Sequence, residues 1–397
     1  MMSEADLPLG GLLVVDLSQF LAGPYAALRL LDLGARVIKV ERPDGGDPCR
    51  DLYKTRDQRI STLFQAINRG KESLALDLKL ADDLAVLRQA LERADVVIQN
   101  YRPGIAERLG IGYEAVRAIN PRVIYASISG YGRDGPWAKL PGQDLLAQAR
   151  SGIMWLSGDQ ASPPTPVGLA VGDIYTGAMA VQGILAALVR RGVTGRGALV
   201  ETSLLESLVD LQFEMITEYF ANQNTMRFRS EASNGNINAP PPYGVYRTSD
   251  GYLALAMTPL QRLAPLLDLD PDPAWEGDHL SLLVERDQIK RRIAEQIVMR
   301  STAHWAAALQ PHDIWCAEVM DWTALLRTEQ FAALDMLQDL PSVDAASVRT
   351  TRMPISIDGV RPRGHAPAPA LGAHSEALRR ELAGNDAPLV SAVKPAL

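Results

Sequence analysis

Apolar residues in the first 130 positions come in short runs, each followed by a stretch where they recur at helical spacing. The runs Leu12–Leu17, Ala35–Glu41, Asp95–Gln99 and Val123–Ile128 are rich in Val, Ile and Leu and read as buried strands. Between them, Tyr25–Leu33, Asp83–Ala94 and Tyr113–Ile119 have the spacing of helices, the first closed by Gly34. Strands alternating with helices through short turns imply right-handed βαβ units and a parallel sheet, an α/β fold. Farther along, Asp173–Arg191 predicts one strong helix stopped by Gly192, and Leu204–Ala221 a second. Residues 222–242 are polar, end in three prolines and read as a loop or linker. A hairpin turning at Ser249-Asp250-Gly251 follows, then helices over 280–300 and 302–309. A proline-rich connector at 361–369 leads to a terminal helix over 375–382. These breaks suggest a large domain over 1–224, a small α+β domain over 225–335 and a return to the large domain over 336–397.

Composition narrows the functional classes. With 47% hydrophobic and 22% charged residues over 397 positions, the chain can bury a large core, which excludes a disordered tail or a fibrous repeat. Its formal charge of −7 is a poor match to a phosphate backbone, so no nucleic-acid partner is expected. Cys49 and Cys316 form no disulfide framework and no C-x-x-C site. The start, MMSEADLPLGG, is acidic where a signal peptide is basic, and the longest apolar runs fall short of the roughly 20 residues of a membrane span. The expectation is a soluble, cytoplasmic protein with no membrane partner.

Familiar catalytic motifs are missing. The turn Asp16–Pro24 lacks the G-x-G-x-x-G of dinucleotide sites, and Asn68–Ser73 lacks the outer residues of a P-loop. The five histidines, all beyond position 278, show no H-E-x-x-H spacing, and there is no G-x-S-x-G elbow. What stands out is Asp173, delivered by a glycine turn (Gly168–Asp173) at the start of the strong helix. Asp is a favoured helix N-cap, which is one reading. The other is a carboxylate nucleophile toward acyl groups, kept ionised by the helix terminus, whose N–H groups also serve an anionic intermediate.

Several segments, each weak alone, are specific in their order and spacing. They include Val15-Asp-Leu17 with Ala22-Gly-Pro24, Leu33–Pro43 with Gly46-Asp47, Asn68-Arg-Gly-Lys71 and Leu76-Asp-Leu-Lys79. Ala94–Gly104, Asn120–Ile124, Ser129–Gly132, Gly142–Ala149, Gly172–Gly177, Thr194–Gly197, Pro242–Tyr246 and Leu371–His374 continue the series. In these the chain resembles the family III CoA-transferases over nearly its whole length.

The resemblance implies a Rossmann-like large domain, a smaller domain and an interlocked homodimer. It matches Asp173 to the family's catalytic aspartate, which passes CoA from an acyl-CoA donor to a free carboxylic acid through a mixed anhydride and an aspartyl-CoA thioester. No permanently bound cofactor and no metal is implied; coenzyme A and acyl-CoA are substrates. CoA contacts are implied for Arg42, Leu76, Lys79, Asn100, Tyr101, Arg102, Arg108, Gln143 and Asp144, with guanidinium groups suited to phosphate and adenine. The alternative is an acyl-CoA racemase or epimerase. In that branch a histidine stands in the place of Gln143, and glutamine is no general base near neutral pH. Two departures from the formyl-CoA pattern, a short loop over 234–242 with one glycine and Phe20-Leu21 in place of a polar pair, imply a larger or more apolar acid than oxalate or formate. Cys316 is assigned no role.

Overall fold

The computed structural model describes residues 7–54, 61–270, 272–342 and 347–384. The acidic start at 1–6 and the end of the predicted C-terminal return, 385–397, lie outside the described residues. Two compact units emerge, one of residues 1–147, 170–208 and 335–397, the other of 148–169 and 209–334.

The first unit is built on a six-stranded parallel sheet of β1 (Leu13–Asp16), β2 (Arg36–Glu41), β3 (Glu72–Ala75), β4 (Val96–Gln99), β5 (Ile124–Ser129) and β6 (Ala198–Ser203). Their spatial order is 3-2-1-4-5-6, the order of doubly wound nucleotide-binding sheets. β1 is buried along its whole length, as a strand covered on both faces must be. One face, with Val15, Ile38, Leu74, Val97 and Tyr125, packs on the helices Ala81–Arg93, Tyr113–Ile119 and Ser375–Leu382. The opposite side meets the helices Ala22–Asp32 and Val171–Thr194, which also pack on each other.

Element limits differ from the sequence reading where local chemistry decides. The first helix starts at Ala22, since Pro24 in the first turn has no N–H to waste there. The long helix runs through Gly192 and stops at Gly195, which adopts φ 70°. At 24 residues it is long and apolar enough to cross a membrane, which the run lengths did not suggest. Here it packs on the first helix, and its Arg191 pairs with Asp95 at 3.1 Å. The helix expected over 204–221 is two, Leu204–Asp210 and Phe213–Ala221.

Charged side chains are buried together in this unit. Lys39 Nζ lies 2.9 Å from Asp47 and donates to the Ser18 carbonyl. Lys71 Nζ donates to Asp16 at 2.8 Å and to the Pro24 carbonyl and Asn68 Oδ1 at 2.9 Å. Arg50 forks onto Glu41 at 2.7 and 2.8 Å, and Ser73 also donates to Glu41. Three cations thus face three carboxylates, the arrangement that makes buried charge tolerable.

Residues 335–384 close the unit. The hairpin β10 (Leu337–Leu340) and β11 (Val348–Thr351) is antiparallel, and the segment beyond it lies along the edge strand β3. The Ser73 N–H donates to His374 Nδ1, the His374 N–H to the Ser73 carbonyl, and the Ala75 N–H to Ser375 Oγ.

The second unit holds the antiparallel sheet β7 (Gly244–Arg247), β8 (Tyr252–Leu255) and β9 (Cys316–Glu318). Tyr246, Leu253, Leu255, Ile289, Ile293, Trp305 and Leu309 form its core. Residues 148–169 join it through specific bonds: Arg229 donates to the Ser157 and Ser162 carbonyls, and the Asn234 N–H to Asp159. Arg286 and Lys290 hold the carbonyls of Phe228, Ile237 and Ser233, which fixes the 222–243 segment without regular structure.

Candidate active site

Asp173 is the third residue of the helix Val171–Thr194, whose N-cap position is Ala170. It is therefore not the cap that its residue type suggested. The capping group is Asp144, whose Oδ1 accepts the N–H of Gly172 at 2.7 Å and of Asp173 itself at 3.1 Å. Local sequence explains the approach. A Cβ on Gly172 would lie 2.9 Å from that oxygen, and Gly130 and Gly142 pack so closely that a methyl group on either would meet the other's Cα. This crossing carries the 141–144 segment, and with it Asp144, over the end of β5.

The electrostatics follow. Asp173 is half-buried and its carboxylate accepts no hydrogen bond from the described residues. Burial pushes its carboxyl up to about 7, and the charge of Asp144 adds to the rise. The helix terminus thus does not hold Asp173 ionised, and its Gly172 and Asp173 amides are already taken. This corrects the expectation of free N–H donors there. What remains is a basic, half-protonated carboxyl without a strong partner among the described residues, the state expected of a group reserved for chemistry.

The loop after β1 is held from both sides. Asn100 Oδ1 accepts the Gln19 N–H at 2.8 Å while its Nδ2 donates to the Gln19 carbonyl at 2.7 Å. The Phe20 N–H donates to Asp47, and Phe20 sits at φ 64° with its ring 45% exposed. A left-handed aromatic residue is strained, and such strain persists only where surrounding bonds impose it. The loop leads directly into Ala22, whose carbonyl, with the Tyr25 ring, lies against Gly177, one turn beyond Asp173. At Gly177 a Cβ would fall 2.7 Å from that carbonyl.

The other sequence-singled residues fall in different settings. Arg42, Lys79 and Arg102 are exposed on the loops that follow β2, β3 and β4, where open α/β sheets bind ligands, and Arg108 is exposed at the end of the short helix Ile105–Arg108. Arg42 is braced by its Nε bond to the Gly46 carbonyl at 3.0 Å. Leu76 is 1% exposed and belongs to the core, so its side chain cannot meet a ligand. Asn100 hydrogen-bonds the Gln19 backbone and Asp144 Oδ1 the N–H groups of the long helix, so both help to shape the site. Gln143 is exposed beside Asp144.

A cavity of about 940 Å³ opens at the carboxyl ends of β4, β5 and β6, lined by Tyr101, Arg102, Ser127, Arg133, Lys139 and Glu201 among others. Of the residues singled out in the sequence, Tyr101 and Arg102 alone line it. Burial raises the Tyr101 phenol to about 12, so it stays a neutral wall. Cys49 is fully buried, its thiol likewise pushed up to about 12 by burial first, and inert. Sequence reading missed the Gln19–Asn100 clasp and the pairing of Asp16 with Lys71. The one available signal was lysine inside predicted strands and motifs, at positions 39 and 71.

Comparison with known proteins supplies the family. The family model described as CoA-transferase family III matches residues 9–375. An acetyl-CoA:oxalate CoA-transferase of Acetobacter aceti is 33% identical over 96% of this chain and 97% of its own. A succinate–glutarate CoA-transferase of Agrobacterium fabrum is 32% identical over 94% and 96%. A CAIB/BAIF family protein from Brucella suis, of known crystal structure, superposes with a TM-score of 0.80 at 30% identity, over 94% of this chain and 99% of that one. A doubly wound sheet with a basic aspartate at the start of its long helix, matched over nearly the whole chain by such relatives, leaves one assignment: the chain belongs to CoA-transferase family III and is a CoA-transferase.

Proposed function

We propose that Asp173 is the nucleophile that carries the acyl group and then CoA. One carboxylate oxygen attacks the thioester carbonyl of the donor, the C–S bond breaks, and CoA leaves as thiolate from a mixed anhydride. The thiolate attacks the Asp173 carbonyl carbon, the donor acid leaves as carboxylate, and an aspartyl-CoA thioester remains. The acceptor carboxylate then displaces thiolate to form a second anhydride, and thiolate attack on the acceptor's carbonyl frees Asp173. Over the whole cycle one thioester is exchanged for another, so the sequence of steps is close to balanced in energy. The observation that carries this reading is the half-buried Asp173 carboxyl, raised to about 7 by burial and then by Asp144 and bound by no side chain among the described residues.

Arg42 and Arg102, exposed on loops, and Arg108, exposed on a short helix, supply forks for the phosphates of CoA. The relatives named above act on oxalate and glutarate; a small dicarboxylic acid is the acceptor class they support, and the exposed Phe20 ring favours one larger than oxalate. Water must be kept from the anhydride, which an interlocked homodimer would do. Gln143 offers no base for α-proton transfer, so the epimerase reading is not favoured.

The test is trapping. The protein is mixed with acetyl-, succinyl- or glutaryl-CoA, quenched in hydroxylamine, and the Ser151–Arg190 peptide is mapped by mass spectrometry. A hydroxamate on Asp173, absent in Asp173→Asn, is expected. Modification of Asp159 instead, or transfer without any adduct, overturns the assignment.

A further inference from the structure

Two carboxylates meet at the start of the long helix, and their arrangement is not the one a cap alone requires. Ser, Thr or Asn at position 144 could accept the same two N–H bonds as a neutral group. A carboxylate there adds a negative charge next to the residue that must itself become a carboxylate. We propose that Asp144 is a positioning residue that drives acylation, holding the Asp173 backbone through its N–H while repelling the free Asp173 carboxylate and leaving the acylated form unopposed.

The proposal rests on the reading of Asp173 as nucleophile. Its physical content is a difference between states. In the free enzyme the two side chains carry like charges in a half-buried setting, where repulsion is poorly screened. In the mixed anhydride and in the aspartyl-CoA thioester Asp173 is neutral, and the repulsion is gone. An interaction that disfavours only the free carboxylate shifts the equilibrium toward both covalent states. It also makes the nucleophile more basic, hence more reactive once ionised.

Packed around this turn are an apolar side chain and a cation that is already paired elsewhere. On the far side of this turn Leu208 is apolar, its Cδ1 3.2 Å from where a Gly172 Cβ would stand. From the first helix the Tyr25 ring packs at Gly177, and the Arg29 bonded to its hydroxyl is ion-paired with Asp32 at 2.9 Å. The charge felt by Asp173 is that of Asp144, acting in the same direction as burial. With Gly172 and Asp173 amides both directed to Asp144 Oδ1, no N–H of that pair is left to stabilise the free nucleophile.

The test compares wild type with Asp144→Asn and Asp144→Ser, which keep an acceptor oxygen and lose the charge, and with Asp144→Ala, which loses both. Each protein is equilibrated with acetyl-CoA at pH values from 5 to 9 and quenched into hydroxylamine at one fixed pH, and the Asp173 hydroxamate is quantified. For Asn and Ser the midpoint of acylation against pH should fall by on the order of one unit, a tenfold change in ionisation constant. The fraction acylated at high pH should fall several-fold, whereas a purely structural cap would move neither. A midpoint and acylated fraction unchanged in whichever neutral-acceptor variant folds overturns the proposal. If wild type itself forms no Asp173 hydroxamate, the nucleophile reading fails, which is a different result.

Discussion

Replacing Asp173 with asparagine should stabilise the protein, and only above a definable pH. The carboxyl is raised from 3.8 to about 7, by burial and then by Asp144. Each unit corresponds to about 1.4 kcal/mol, so about 4 kcal/mol is the ceiling on what its ionisation costs the fold. Asp173 is half-buried rather than sealed, and screening brings the expected cost to about 2 kcal/mol. The sign follows from linkage. A carboxyl whose folded pKa is raised leaves full stability below pH about 4, and that stability is lost as pH rises through about 7. Asparagine, neutral and of the same shape, removes the loss. Thermal unfolding of both proteins at pH 4, 6 and 8.5 should show near-equal midpoints at the lowest value and a variant melting a few degrees higher at the top. Equal differences at all three would mean that folding leaves this carboxyl unshifted, and a less stable variant at pH 8.5 that the helix terminus favours the carboxylate; either would refute the reasoning. The gain in stability should coincide with loss of the hydroxamate, as expected where a site is held in a state that costs the fold.

Lys71→Met should lower stability by about 3–5 kcal/mol in denaturant titration, because it strands the buried Asp16 carboxylate; Asp16→Asn added to it should restore part, and a neutral single variant would contradict the pairing. Gly177→Ala sets two effects against each other. Helix propensity favours alanine by about 1 kcal/mol, but its Cβ would fall 2.7 Å from the Ala22 carbonyl and 2.9 Å from Tyr25, and overpacking costs about 1–3 kcal/mol. A lower melting temperature is expected, and a higher one would show that the first helix yields easily.

The doubly wound core was legible because its strands are runs of Val, Ile and Leu bounded by turns, as in Leu13–Asp16 and Val96–Gln99. β3 was not, since Glu-Ser-Leu-Ala has little strand preference and is held by pairing with β2 and by the C-terminal segment. β6, Ala-Leu-Val-Glu-Thr-Ser, lay hidden after a glycine-rich turn that reads as a helix end. Asp173 was visible from its turn and motif, but its electrostatics were not. They depend on Asp144, 29 residues away, and on a contact between two glycines that no periodicity announces. Leu76 shows a further limit, because a motif records which residues recur together and not which way a side chain points, and this one points into the core. The segment 148–169 has no compositional mark of the unit it joins, since its bonds to Arg229 and Asn234 are carbonyl and single-side-chain contacts.

The dependence of β3 on the end of the chain bears on biosynthesis. Arg36 is clasped by Glu381 across 345 positions, and Ser73 and Ala75 by His374 and Ser375 across about 300. Closure entropy grows only with the logarithm of loop length, so distance is a small obstacle to the finished contact. Timing is the larger one. On the ribosome every residue of the smaller unit emerges before 367–382, so that unit can fold while the parallel sheet still has an open edge. Until the last turn of chain arrives, the amides of Ser73 and Ala75 offer a free ladder to any other strand. Residues 367–382 therefore act as a built-in chaperone for the sheet, and lesions that remove them should be read as assembly defects although they lie far in sequence from Asp173.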